Sequence, residues 1–89
     1  MTTPEHANRR PGAFEFVGKW KEIVRALGET GMGYTVVTVT LADGAIYPQT
    51  LIDSGWLSRI RGAPGVPFTE QDIASIIRTD AKWDWHEKP

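Results

Sequence analysis

The stretch "YTVVTVTLADGAIYPQTLIDSGWLSRIR", residues 34–61, decides the fold of this chain. It contains three runs, 34–41, 45–52 and 56–61, that are rich in β-branched and aromatic residues and therefore favour strands over helices. The runs are separated by "ADG" and "DSG", two short turns in which glycine can adopt a positive φ. Three strands joined by two short turns predict an antiparallel meander.

A helix is predicted before the meander, over residues 19–27. Its apolar side chains recur at the i, i+3, i+4, i+7 spacing of one helix face: Trp20, Ile23, Val24 and Leu27. Gly28 follows at once, and glycine commonly ends a helix because it adopts the left-handed conformation without strain. The glycine-rich "GETGMG", 28–33, is therefore interpreted as a helix end leading into a strand. A phosphate-binding loop has the opposite order, and "VGK", 17–19, is too short a motif to indicate one.

A second helix is predicted after the meander, over residues 68–78. Thr69 and Asp72 form a variant of the capping box that begins many helices. The isoleucines that follow have the spacing of a buried helical stripe: Ile73, Ile76 and Ile77. The predicted fold class is therefore α+β, with the order helix, three-stranded antiparallel meander, helix.

Two short segments leave alternatives open. Residues 13–17, "AFEFV", alternate as a short strand does, or they begin the helix that follows. Residues 81–85 place Ala81, Trp83 and Trp85 at period two, which predicts a closing strand, with a helical extension over 81–86 as the alternative. The fold class thus includes flanking strands at 13–17 and 81–85 as options.

The chain has 89 residues, a net charge of −1 and no cysteine. This length suits one domain, which we place at 13–86, after a loosely ordered tail at 1–12 and before a C-terminal end at 87–89. The absence of cysteine excludes disulfides and thiolate metal sites. Neither a membrane-spanning run nor a secretory signal is found, so we expect a cytoplasmic protein without membrane contact.

The sequence offers no pattern that indicates an enzyme. Asp43 and Asp53 lie in successive turns, roughly 25 Å apart for a strand of this length, which is too far for paired acid–base chemistry. Asp84, His86 and Glu87 are too few for a structural metal site, which normally needs four ligands. We therefore expect no catalytic, cofactor-binding or metal-binding residues, and no cofactor.

Two candidate interaction surfaces remain. If Trp56 and Ile60 of the third strand face the core, the outer face of the sheet presents five residues from the second and third strands: Tyr47, Gln49, Leu57, Arg59 and Arg61. The second candidate is an apolar patch at the chain end, formed by Trp83 and Trp85.

These surfaces predict a small, non-enzymatic protein-interaction module that binds a protein partner or associates with itself. Tyrosine and arginine are enriched in protein interfaces, and small domains often gain stability by associating. The alternative is a nucleic-acid-binding module, because an aromatic side chain among arginines on a sheet can stack on bases and contact phosphates. The net charge of −1 disfavours that alternative.

Overall fold

The computed structural model describes residues 9–83 of the chain. Its elements in chain order are β1 (Phe14–Glu15), α1 (Trp20–Ala26), β2 (Thr35–Leu41), β3 (Ile46–Asp53), β4 (Trp56–Ile60), a 3-10 turn (Glu70–Asp72) and β5 (Ile73–Thr79). The strands form one curled, five-stranded antiparallel sheet in the order β1-β4-β3-β2-β5. The domain is thus α+β or mainly β, with one short helix, and the predicted order helix, meander, helix is wrong.

The central part of the sheet is the meander of β2, β3 and β4. Each pairs antiparallel with the next, and the connecting turns lie where the glycines occur in the sequence. In the β3–β4 turn, Ser54 and Gly55 have φ values of 50° and 80°. Positive φ at both central residues is typical of a type I′ turn, whose twist matches that of the flanking strands.

The predicted helix over 68–78 is replaced by a strand. Its first residues form a single 3-10 turn, and Ile73–Thr79 form β5, which pairs antiparallel with β2. The capping box is present, because the Thr69 N–H donates to the Asp72 carboxylate at 2.8 Å. It begins only that one turn, because the chain beyond it pairs with the free side of β2.

A β-bulge explains why β5 resembles a helix in the sequence. The pairing of β2 with β5 shifts register between Thr40 and Leu41, which leaves Ala74 without a partner residue. The extra residue places Ile73 and Ile76, three positions apart, on the same buried face of the sheet. A separation of three is also typical of one helix face, so the bulged strand and the helix share this pattern.

The predictions for the segments that flank the main elements have different outcomes. At 13–17, the strand alternative is correct for Phe14–Glu15, which pair with β4. Residues 81–83 belong to no helix or strand, and the rest of the predicted strand at 81–85 lies outside the described residues. Of the predicted tail 1–12, residues 1–8 also lie outside them. Arg10, which belongs to the same predicted tail, is attached to β4, because its backbone N–H donates to the Ser58 carbonyl at 2.9 Å.

The main core lies between the sheet and α1. The helix buries Trp20 and Val24, whereas Ile23 of the predicted stripe is 44% exposed. The strands and the loop before β5 supply most of the remaining side chains of this core: Val37, Val39, Leu41, Ile52, Leu57, Ile60, Val66, Phe68, Ile73 and Ile76. Gly28, with φ 80°, follows the helix as predicted.

A carboxylate from the distant 3-10 turn holds the start of α1. Glu70 accepts hydrogen bonds from the backbone N–H groups of Val17, Gly18 and Trp20, at 3.0 to 3.1 Å. Unpaired N–H groups at a helix start favour a negative charge. At "VGK", 17–19, that charge is therefore supplied by the chain itself.

The opposite face of the sheet carries a second, smaller buried cluster. It consists of Tyr34, Val36, Leu51 and Trp83. The register places Val36 beside Leu51 and Leu51 beside Arg59, so these side chains form one row across β2, β3 and β4. Residues 35–37 of β2, 50–53 of β3 and 57–60 of β4 are consequently buried on both faces.

Candidate interaction surfaces

The structure does not place the five residues of the predicted outer face on one exposed surface. Leu57 is fully buried in the main core, and Arg59 is only 6% exposed. Leu51 pairs with Arg59 but Ile52 pairs with Leu57, so the register shifts by one residue between them. This bulge separates Leu57 from Arg59, which strict strand alternation had placed on the same face.

Gln49 and Arg61 lie on the same face of the sheet as Arg59, because Leu51 pairs with Arg59 and the Arg61 backbone N–H donates to the Gln49 carbonyl at 2.8 Å. Tyr47 packs instead against the main core. Tyr47 is half-buried and packs on Phe68, with 5.0 Å between the ring centroids. Arg61 is exposed and donates to the Gln49 side-chain oxygen at 3.2 Å. Tyr47 therefore does not share a face with the two arginines.

The structure instead brings together two residues from different predicted sites. The Arg59 guanidinium lies over the Trp83 ring, 5.6 Å from its centroid. The backbone N–H of Trp83 also donates to the Tyr34 hydroxyl at 3.4 Å. Trp83 is 5% exposed and covers the part of the outer face formed by Val36 and Leu51, while Trp85 lies outside the described residues. No local spacing links positions 59 and 83, so sequence reasoning could not join them.

The free edge of β5 is a surface that sequence reasoning missed. β5 has seven residues, its neighbour in the sheet is β2, and its other side borders no strand among residues 9–83. The opposite edge strand, β1, has only two residues. Four β-branched side chains in "IASIIRT" could have indicated a strand, but the capping box and the isoleucine spacing favoured a helix.

One hydroxyl determines which backbone groups of β5 face outward. Thr30 accepts from the Val36 N–H at 3.0 Å and donates to the Thr79 carbonyl at 2.7 Å. Thr79 therefore directs its backbone groups towards β2. Because this direction alternates along an antiparallel strand, the N–H and C=O groups of Ile76 and Arg78 point away from the sheet.

An apolar side chain accompanies this open backbone. Ile77 is 63% exposed and pairs across the sheet with Thr38. Ile46, on β3, is exposed to nearly the same extent, 61%, and pairs with Thr40. The two isoleucines differ in position, because Ile77 lies on the edge strand and Ile46 lies two strands away from it.

A cleft of about 530 Å³ lies between α1, the neighbouring glycine-rich loop and the β3–β4 turn. Its charged lining residues are mixed in sign: Glu15, Lys21, Arg25, Glu29 and Asp53. Asp53 is buried and accepts a hydrogen bond from the Ser58 hydroxyl at 2.9 Å. Within residues 9–83, no three His, Asp or Glu side chains are grouped to hold a metal ion.

Comparison with protein-family models, curated proteins and solved structures finds no match for this chain. In the part of the chain that the structure describes, no helix is long and apolar enough to cross a membrane.

Proposed function

We propose that this domain is a non-enzymatic protein-interaction module that binds a partner strand along the edge of β5. The observation that carries the proposal is the open edge of a seven-residue strand with Ile77 63% exposed beside it. Edge strands commonly contain proline, inward charges or a protective cover that prevents pairing. β5 contains no proline or lysine, and of the features that protect edges it has a bulge at Ala74 and the charge of Arg78.

Strand addition suits the chemistry of this edge. An added strand would form hydrogen bonds with the outward N–H and C=O groups of Ile76 and Arg78. Its side chains would also cover Ile77 on the outer face of the sheet. Main-chain bonds supply affinity in this kind of recognition, and the alternate side chains supply specificity.

The nucleic-acid alternative receives less support from the contacts. It required Tyr47, Arg59 and Arg61 on one accessible face, but Arg59 is buried under Trp83 and Tyr47 packs on Phe68. The net charge of −1 also lacks the basic excess that attracts a phosphate backbone.

The test is a pull-down from the native host's lysate, with and without nuclease, read by mass spectrometry. Three baits are compared: the wild type, Ile77→Lys at the edge, and Ile46→Lys as a matched control with equal exposure away from the edge. We expect the wild type and Ile46→Lys to retain the same protein, and Ile77→Lys to retain about tenfold less, a change of about 1.4 kcal/mol.

Two results would count against this function. One is equal retention by all three baits, because β5 would then not be the binding edge. The other is retention that disappears with nuclease, which would favour a nucleic-acid module. Circular dichroism of each bait serves as the control that the substitution leaves the fold intact.

A further inference from the structure

We infer that the strand bound by β5 is β5 of a second copy of this chain, paired antiparallel about a two-fold axis at Ile77. This inference rests on the proposed function, since it names the partner for the same edge. It joins two five-stranded sheets into one continuous sheet.

The backbone direction limits the register of such a pair. Only residues whose N–H and C=O groups face outward can form hydrogen-bonded pairs across the new interface, and these are Ile76 and Arg78. An axis at Ile77 places Ile76 of each copy opposite Arg78 of the other, so both residues are satisfied. Ile77 then faces Ile77 of the second copy as a non-hydrogen-bonded pair.

The two neighbouring registers are worse. An axis at Arg78 places the two guanidinium groups directly opposite each other, and like charges at that position are destabilising. An axis at Ile76 places Arg78 opposite Ala74, where the bulge disrupts regular pairing. The axis at Ile77 avoids both the repulsion between arginines and the bulge. It also buries Ile77 of one copy against Ile77 of the other.

The charges around β5 complement each other in this arrangement. Two acidic residues, Glu70 and Asp72, lie directly before β5, with no basic residue between them. Two basic residues, Arg78 and Lys82, lie at and beyond its other end, with Asp80 as the only acid between them. With the axis at Ile77, Asp72 of each copy lies opposite Lys82 of the other. The Glu70 carboxylate is not part of this pair, because it binds the backbone N–H groups at the start of α1.

Arg78 takes no part in this attraction, because the axis at Ile77 places it opposite Ile76. Within its own chain its guanidinium lies 3.4 Å from the Asp80 carboxylate and donates to the Glu29 carbonyl at 3.2 Å. The exposed Arg78–Asp80 pair contributes little, because solvent screens it.

Cysteine cross-linking tests the register directly, because the chain contains no cysteine. Residues opposite each other in a non-hydrogen-bonded antiparallel pair have Cα atoms about 4.5 Å apart, which is within the range that a disulfide requires. We expect Ile77→Cys to form a covalent dimer under mild oxidation at least about tenfold faster than Ile46→Cys, which is equally exposed. Sedimentation of the wild type over a concentration series should show a monomer–dimer equilibrium.

The outcomes separate this inference from the proposed function. If the wild type stays monomeric while its edge still retains a different protein, the self-pairing is wrong and the proposed function stands. If a dimer forms but Ile77→Cys cross-links no faster than Ile46→Cys, the dimer uses another surface and the inference is again overturned. Preferential cross-linking at Ile77 together with concentration-dependent dimerisation would support it.

Discussion

At the scale of single residues, the Thr30 hydroxyl takes the place of a direct backbone hydrogen bond between β2 and β5. This hydroxyl bridges the Val36 N–H and the Thr79 carbonyl, which belong to neighbouring strands. The side chain is partly buried, so both backbone groups would be poorly satisfied without it. Thr30 lies in "GETGMG", the loop whose glycines end α1, and the loop is thereby joined to β2 and β5.

We predict that Thr30→Val lowers the free energy of unfolding by about 1–3 kcal/mol, because a donor and an acceptor lose their partner in a partly buried site. Urea denaturation measures the change. Thr38→Val is the matched control, since the Thr38 hydroxyl makes only a long, exposed bond of 3.4 Å to the Pro48 carbonyl. Equal losses for the two variants would show that the bridge contributes nothing specific.

At the scale of elements, β5 shows how a local signal can be overruled by pairing. Its capping box is real, but the helix that it could begin would leave one side of β2 without hydrogen bonds. The strand satisfies those groups and buries Ile73 and Ile76. Unpaired backbone groups of a buried strand are costly, so tertiary pairing outweighs helix capping here.

A pair of alanine variants distinguishes the strand from the predicted helix. In a helix, Ile76 and Ile77 would both belong to the buried stripe, whereas in β5 they are 8% and 63% exposed. We predict that Ile76→Ala costs about 2–5 kcal/mol through the cavity it leaves, while Ile77→Ala stays within about 0.5 kcal/mol.

Chemical denaturation should be carried out at a concentration where sedimentation shows a monomer, so that association does not contribute to the Ile77 result. Similar costs at both positions would contradict the strand.

At the scale of the whole molecule, the sheet is covered on both faces. α1 covers one face, and Trp83 covers part of the other, in contact with Tyr34 and Arg59. A domain of this length buries a smaller share of its surface than a larger domain does and is only marginally stable, so one large aromatic side chain contributes a substantial part of its stability.

We predict that Trp83→Ala lowers stability by about 3–5 kcal/mol, because it opens a cavity and exposes Val36 and Leu51. For a domain of this size, the midpoint of thermal unfolding should fall by at least about 12 °C. Lys82→Ala is the control, since Lys82 is the exposed neighbour of Trp83. A shift of similar size in both variants would mean that Trp83 is not the anchor of the outer face.

The sequence by itself determined the meander, its two turns and α1. Each depends on neighbouring residues: runs of β-branched side chains, glycines that adopt positive φ, and apolar residues at helical spacing. The start of the chain was left open between strand and helix, and the structure pairs Phe14–Glu15 with β4.

Only the tertiary structure decided that residues 73–79 form a strand, that Leu57 and Arg59 lie on opposite faces, and that Arg59 meets Trp83. The first depends on hydrogen bonds offered by a strand far away in the sequence. The second depends on a bulge, which moves every later side chain to the other face without changing the local pattern. The third depends on the path of the chain after β5. Local propensity contains none of this information, because the energies that decide it arise between residues distant in sequence.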